Sequence, residues 1–245
     1  MPDRVAVVTG ASSGIGAATA KLLARERYAV ALAARREDRI KELAEEIATG
    51  GGKALPVPTD VGDADGAQAL IGAAKDEFGS VDVLVNNAGV MLLGPILGAE
   101  LEHWQRMVNV NLLGLLYCTH AALPLMQEQG GGHIVNVSSV AGRVARLGSG
   151  VYNATKWGVG AFSESLRQEA VNYNVRVTIV EPGFVDTELQ GHNEHPMVVD
   201  MLQKSLEEIG KVLEADDIAN AIFYAVQQPE HVSINEVLVR PTKQG

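Results

Sequence analysis

Arg4-Val5-Ala6-Val7-Val8-Thr9-Gly10-Ala11-Ser12-Ser13-Gly14-Ile15-Gly16 is the stretch that decides the fold. Val5 to Thr9 is a compact β-branched run, the composition of a strand buried on both faces. A glycine-rich turn follows, and an alanine-rich amphipathic pattern then predicts a helix to about Arg27. A strand that feeds a helix through such a turn points free backbone N–H groups and partial positive charge at one spot. That spot suits a pyrophosphate. The spacing is G-x-x-x-G-x-G, not the G-x-G-x-x-G of the general dinucleotide pattern.

Working outward, the same rhythm repeats. Strands are predicted at Tyr28–Ala33, Lys53–Thr59, Val81–Val85, in the run ending at Ser139, and at Val175–Val180. Helices are predicted at Arg36–Ala48, Ala64–Phe78, Leu101–Gln127 and around Tyr152 and Lys156. Nearly continuous apolar strands alternating with helices imply a doubly wound α/β fold of Rossmann type. The expected architecture is a parallel sheet of about seven strands in one domain over residues 1–245. Asp186 to Lys211 breaks the rhythm after the sixth strand, with Gly191, His192, Asn193, His195 and Pro196 and then a short amphipathic helix. Ligands of open α/β sheets sit beyond the carboxyl ends of the strands, so this insertion is expected to act as a mobile substrate lid.

Bulk properties narrow the function. The chain has 245 residues, 47% of them apolar, and a formal net charge of −10. That charge argues against nucleic acid and against an anionic membrane surface as partners. Cys118 is the one cysteine, so no internal disulfide forms, and its apolar helical setting reads as an inert buried thiol. Val5–Thr9 is too short for a secretory signal, and Leu112–Met126, with His120 and Pro124, reads as short of a membrane span. The expectation is a soluble cytoplasmic protein. His103, His120, His133, His192, His195 and His231 show no ligand spacing, so no metal is expected.

The end of the second strand carries the cofactor preference. An acid there would bind a ribose 2′-hydroxyl, whereas an arginine accommodates a 2′-phosphate. The chain reads Ala33-Ala34-Arg35-Arg36, and Arg35 can hold a phosphate in bidentate fashion. Glu37 and Asp38 fall early in the next helix, where they complement its dipole. The reading is NADP(H) over NAD(H). Asp60, followed by Val61, stands where a carboxylate would accept from an adenine amino group, or else caps a helix. Asn86-Asn87-Ala88-Gly89 closes the fourth strand with small residues against which a cofactor can lie. Asn111 falls inside a predicted helix, where asparagine is a poor fit and needs a partner, through a local distortion or a water.

Tyr152 and Lys156 lie four positions apart, on one helical face. A lysine ammonium at ~5 Å, in an effective dielectric of ~20, favours a phenolate by about 3 kcal/mol. That corresponds to roughly two pKa units downward, enough to make a phenol a working proton donor and acceptor. Ser139 ends the strand His133–Val137 and can hydrogen-bond a substrate oxygen.

Together these pieces resemble the short-chain dehydrogenase/reductase family over essentially the whole chain. The resemblance rests on Thr9–Gly16, Asn86–Gly89, Asn111–Gly114, Ser139, Tyr152–Lys156 and Pro182-Gly183-Phe184-Val185-Asp186-Thr187, in that order. The unusual glycine spacing is this family's own. Met91–Pro95, Ala141-Gly142-Arg143, Asp186–Leu189 and Arg240-Pro241-Thr242 resemble, less specifically, the subgroup containing clavulanic acid dehydrogenase. The family resemblance implies an oxidoreductase that interconverts a carbonyl compound and its alcohol. It implies Tyr152 as acid/base, and Lys156 as the group that lowers its pKa and binds the nicotinamide ribose. It implies Ser139 as the carbonyl's orienting group, and Asn111 as holder of a water joining Lys156 to solvent. Thr187 and the Val185 backbone would grip the carboxamide. The implied cofactor contacts are Gly10, Ser12, Ser13, Gly14, Ile15, Gly16, Arg35, Arg36, Asp60, Val61, Asn87, Ala88, Gly89, Tyr152, Lys156, Pro182, Gly183, Val185 and Thr187.

By position, Met91, Leu93, Val140, Arg143, Ser149, Phe184, Leu189 and His192 are expected to line the substrate pocket. Arg143 either pairs with a substrate carboxylate or makes a structural bond at a loop corner. Family members pair through two long helices, which implies a homodimer or homotetramer here. Ala154, Gly158 and Ala161 would give the second helix a small-residue face for that contact, or for internal packing. The alternative function is a sensor that binds NADPH without turnover; the complete set Ser139, Tyr152, Lys156 and Asn111 argues against it.

Overall fold

The computed structural model describes residues 4–245, so the first three residues of the expected domain lie outside the described part. Seven parallel strands form one sheet in the order β3-β2-β1-β4-β5-β6-β7. They are β1 (Val5–Thr9), β2 (Ala29–Ala34), β3 (Lys53–Pro58), β4 (Val83–Asn86), β5 (Gly132–Val137), β6 (Val175–Pro182) and β7 (Glu236–Val239). The helices are α1 (Gly14–Arg25), α2 (Glu37–Thr49), α3 (Ala64–Phe78), α4 (Leu101–Val108), α5 (Gly114–Gln129), α6 (Gly150–Ala170), α7 (Pro196–Ile209) and α8 (Ala215–Val226). This is the doubly wound α/β architecture expected from the sequence, with boundaries shifted by a residue or two.

Pleating sorts the side chains of the central strands. Ala6 and Val8 of β1 point into the layer covered by α1, α2 and α8, while Val7 points into the layer covered by α3, α5 and α6. β1, β2 and β4 are buried along their full length, which is why they carry no polar alternation. β3 carries Pro56 and Pro58, and it lies at a sheet edge, where a missing N–H does no harm. The strand order reverses direction between β1 and β4, and a crevice opens beyond their carboxyl ends at that switch.

The predicted helix from Leu101 is interrupted. Asn109–Leu113 forms a π-helical turn between α4 and α5, so the run continues to Gln129. At 29 residues it is long and apolar enough, by length and composition, to cross a membrane. This corrects the sequence reading, which stopped at the shorter apolar stretch. A core helix passes the same test, and here the run packs on α3 and α6.

Candidate active site

The glycine turn is shaped by what lies under it. Gly10 has φ +66°, and a Cβ there would meet the Ala88 Cα at 2.8 Å. A Cβ on Gly16 would run into the Gly10 carbonyl and lie 2.6 Å from the Asn87 Nδ2. Gly16 therefore supports the turn from behind and does not face the groove, a correction to its expected role as a cofactor contact. The Thr9 hydroxyl fastens the turn to the end of β4. It accepts from the Asn87 and Ala88 N–H groups, both at 3.0 Å, while Asn87 Nδ2 donates to the Thr9 carbonyl at 2.9 Å. Thr9 and Asn87 are thus positioning residues. Sequence reading had quoted Thr9 only as part of a motif.

A groove of about 350 Å³ runs from this turn to the end of β5. It is lined by Gly10, Ser12, Ser13, Gly14 and Ile15, by Arg35 and Arg36 after β2, and by Asp60 and Val61 after β3. Asn87, Ala88 and Gly89 form its floor, with Ser139, Tyr152 and Lys156 at its far end and Pro182, Gly183, Val185, Thr187 and Leu189 on the opposite wall. Arg106, Val110, Glu188, Gln190 and His192 also line it. Apart from His192, none of these five had been assigned there, because a helix face shows which residues point together but not toward what. Asp60 does not cap a helix. Its Oδ1 accepts from Gly62 N–H at 3.0 Å in a local turn, and the cap of α3 is Asp63, which accepts from Gly66.

At the far end, α6 carries Tyr152 and Lys156 into the interior, 7% and 5% exposed. Lys156 Nζ donates to the Val137 carbonyl at 3.0 Å and stands 5.8 Å from the Tyr152 ring centroid. Burial dominates both groups. It raises the Tyr152 phenol to about 12, against a hydrogen bond with Ser139 that works downward. It lowers Lys156 to about 8. This corrects the sequence estimate, in which the ammonium pulled the phenol down by two units. That reckoning counted the Coulomb attraction and left out desolvation, which opposes both charged forms. Tyr152 is therefore a firmly protonated donor at neutral pH, and Lys156 is a cation poised close to its neutral form.

Ser139 accepts from Ala141 N–H at 3.1 Å and caps the short turn Val140–Gly142. Asn153 holds the loop beyond it, with Nδ2 donating to the Ala141 carbonyl at 2.7 Å and to the Val144 carbonyl at 2.9 Å. Asn111 sits in the π turn, 2% exposed. Its Oδ1 accepts from Val90 N–H at 2.7 Å, and its Nδ2 donates to the Val90 carbonyl at 2.8 Å and to Thr155 Oγ1 at 3.3 Å. The distortion expected around this asparagine is present, and its side chain pins the segment after β4 to α6 from behind the groove wall.

The substrate side departs further from expectation. Arg143 does not enter the pocket. Its Nε donates to the buried carboxylate of Glu181 at 2.6 Å, and its Nη2 pairs with Glu236, so the loop-corner reading holds and the substrate-carboxylate reading is withdrawn. Met91 packs behind Tyr152 with Val90 and Met107. The Phe184 N–H donates to Gln244 at 2.9 Å, and neither Phe184 nor Val140 lines the groove. Ser149 donates to Asn153 Oδ1 at 2.6 Å, a structural role at the edge of a small side cavity. Leu93 and His192 do face open space. They line a second cavity of about 600 Å³ together with Leu92, Pro95, Trp104 and Arg106. Among the described residues no group of three His, Cys, Asp or Glu side chains is placed to hold a metal ion. Cys118 is buried, and burial raises its thiol to about 12, as expected of an inert thiol.

Comparison with known proteins bears on the fold and the family. The chain is 43% identical over 245 residues to an uncharacterized oxidoreductase of Staphylococcus saprophyticus, covering 99% of this chain and 98% of that one. It is 44% identical over 242 residues to a glycine betaine reductase of Emericella nidulans, of whose length it spans 19%. Among solved structures, the closed form of a serine dehydrogenase complexed with NADP+ superposes with a TM-score of 0.90, at 32% identity, over 98% of this chain and 96% of that one. Because residues 4–197 match the short chain dehydrogenase family pattern, this chain belongs to the short-chain dehydrogenase/reductase family of oxidoreductases.

Proposed function

We propose that this enzyme is an NADP(H)-dependent oxidoreductase that interconverts a small ketone or aldehyde and its alcohol. One observation carries the reading. Ser139 and a buried, protonated Tyr152 close the end of a groove that begins at a glycine turn and passes two guanidiniums. The residues present fit a 2′-phosphorylated dinucleotide. The strand end before the groove carries no acid, and Arg35 is exposed and free of an acidic partner among the described residues. The serine dehydrogenase of closely similar structure was solved with NADP+.

When bound, NADP(H) would supply or accept the hydride. Ser139 orients the carbonyl oxygen, and Tyr152 donates a proton as negative charge develops there. Lys156, held by Val137, lies close enough to stabilise the phenolate left behind and to hand on a proton. Asn111 supports the wall along which that proton reaches solvent. Thr187, with the Val185 backbone, lines the wall of the groove and would hold the carboxamide of a bound nicotinamide. In the reverse direction the Tyr152 phenolate takes the proton back, and the nearby Lys156 ammonium favours that charged form.

The substrate enters from the 600 Å³ cavity under Leu92, Leu93 and Trp104, covered by a lid of about residues 186–211. Asn193 ties this lid to the opposite loop by accepting from Leu93 N–H at 2.7 Å. The mixed lining suits a small polar molecule with an apolar portion, in keeping with the clavulanic acid dehydrogenase-like subgroup. Leu101, Trp157 and the small residues Ala154 and Ala161 leave an exposed strip on α4 and α6, and we assign it to a homodimer or homotetramer contact. A panel of ketones and alcohols followed at the NADPH absorbance band tests the function. Turnover that requires NADPH supports it; tight NADPH binding without turnover on any member overturns it.

A further inference from the structure

The base of the lid reaches back across the mouth of the groove. Glu188 opens the short turn Glu188–His192, directly after Thr187. Its carboxylate accepts from Arg36 Nη1 at 2.8 Å, joining positions 152 residues apart in the chain. The rest of the Arg36 guanidinium is also engaged. Nη2 donates to Ser12 Oγ at 3.0 Å and to Ser13 Oγ at 2.8 Å, and Nε donates to Ser12 Oγ at 3.2 Å. Arg36 therefore lies over the glycine turn in a fixed pose, with its outward edge occupied by a carboxylate. Both partners are about half exposed, at 44% and 46%, so the pair can open without burying a charge.

We infer that Glu188 sets cofactor specificity by occupying the anion seat of Arg36, so that a cofactor 2′-phosphate must displace it. This rests on the NADP(H) reading above. The physical ground is competition. A carboxylate and a phosphate ester present the same fork of oxygens to a guanidinium, and two anions cannot share its outward edge without repulsion. Arg35, one residue earlier and without an acidic partner among the described residues, provides the first contact for the entering phosphate. Arg36 joins it once Glu188 lets go. Because Glu188 starts the lid, phosphate entry at one end of the groove also frees the base of the lid. The Asn193 tie at the other end stays in place.

The consequence is counter to a simple count of contacts. Removing an ion pair from the groove should strengthen binding of the phosphorylated cofactor and leave the other alone. Glu188→Gln keeps the shape and a weak bond to Arg36 but removes the charge. Calorimetric titration of wild type and variant with NADP+, NAD+ and 2′,5′-ADP is the test. The expected result is about two- to five-fold tighter NADP+ and 2′,5′-ADP binding, the span of an exposed ion pair. NAD+ affinity should not change, and the gain should shrink in high salt. In an Arg36→Gln background the same substitution should give no gain. Weaker NADP+ binding by Glu188→Gln would overturn the inference, since Glu188 would then be orienting Arg36. So would an equal change for NADP+ and NAD+, which would mark a general effect on the groove. A wild type that binds NADP+ no better than NAD+ would instead remove the cofactor reading, and this inference with it.

Discussion

The floor and the roof of the groove are built differently. The floor, from Thr9 to Gly89 and on to Lys156, is buried and held by bonds to backbone. Asn87 bonds the Thr9 carbonyl, Asn111 both polar groups of Val90, and Lys156 the Val137 carbonyl. The roof is a short 3-10 turn and α7 at the surface, and its ties lie nearer to solvent: Asn193 accepts from the Leu93 N–H, Gln190 donates to the Val185 carbonyl, and Glu188 pairs with Arg36. Backbone partners in a buried sheet are fixed by the fold, so the floor is rigid and its chemistry is set before any ligand arrives. The Glu188–Arg36 pair, half exposed on both sides, contributes little and can exchange partners. The floor carries the reaction, and the roof carries selection.

That contrast can be broken at several points. Apart from Tyr152 itself, the largest effect is expected at Lys156. Lys156→Ala should lower kcat by about 10²- to 10⁴-fold, the usual range for a proton-transfer group, in a protein of native circular dichroism. The wild-type rate of carbonyl reduction should stay level below pH about 8 and fall above it, as Lys156 loses its proton. A rate that rises through that range would contradict the assignment.

Next comes the floor's support. Gly16→Ala forces a Cβ against the Gly10 carbonyl and Asn87, with only rigid groups to give way. An expected loss of about 1–3 kcal/mol in unfolding free energy, with weakened NADP+ binding, would be read from urea curves and titration. Unchanged values would show that the turn is more pliant than its packing implies.

His133, at the start of β5, tests the floor's dependence on buried neutral groups. Its Nε2 lies 2.7 Å from Thr178 Oγ1, and that hydroxyl donates to Ile234, so the ring N–H points at Thr178 and Nδ1 has no partner. Burial, aided by Arg176, depresses its pKa to about 3. The unfolded chain takes up a proton near pH 6.5 and the folded chain does not, so stability is lost as pH falls below about 6.5. Between pH 7 and 4.5 this group should cost about 2–3 kcal/mol. A His133→Asn variant should lose that much less than wild type over the same interval, measured by urea midpoints. Parallel losses would refute the assignment.

The smallest effect is expected at the roof. Asn193→Ala removes the tie to Leu93 and should raise KM for the carbonyl substrate several-fold, with NADP+ affinity unchanged and kcat changed less. A loss confined to kcat would place Asn193 in the chemistry.

The same division governs how much could be read in advance. The positions of six of the seven strands, most of the helices and the residues around the groove were legible, because apolar runs, glycine spacing and the Tyr152–Lys156 interval are local patterns; the order of the strands in the sheet, and β7 with α8, were not. The π turn was half legible: Asn111 signalled a distortion, but its partner Val90 lies twenty-one residues away. Arg143 was misplaced because its partners, Glu181 and Glu236, arrive only when β6 and β7 align. The phenol's pKa was misjudged because spacing shows a neighbouring charge and not the depth at which both groups lie. Met91 and Phe184 were assigned to the pocket from loop position alone, and loop position does not say which way a side chain turns.

The central claim is that a buried, protonated Tyr152 supplies the proton. Tyr152→Phe removes the hydroxyl and leaves the ring packed with Val90 and Met107. Its kcat should be compared with wild type in a single-turnover reduction, alongside NADPH affinity by titration. The account predicts a loss of about 10³-fold or more in rate with NADPH affinity within two-fold. A variant that binds NADPH normally and reduces its substrate at the wild-type rate would contradict it.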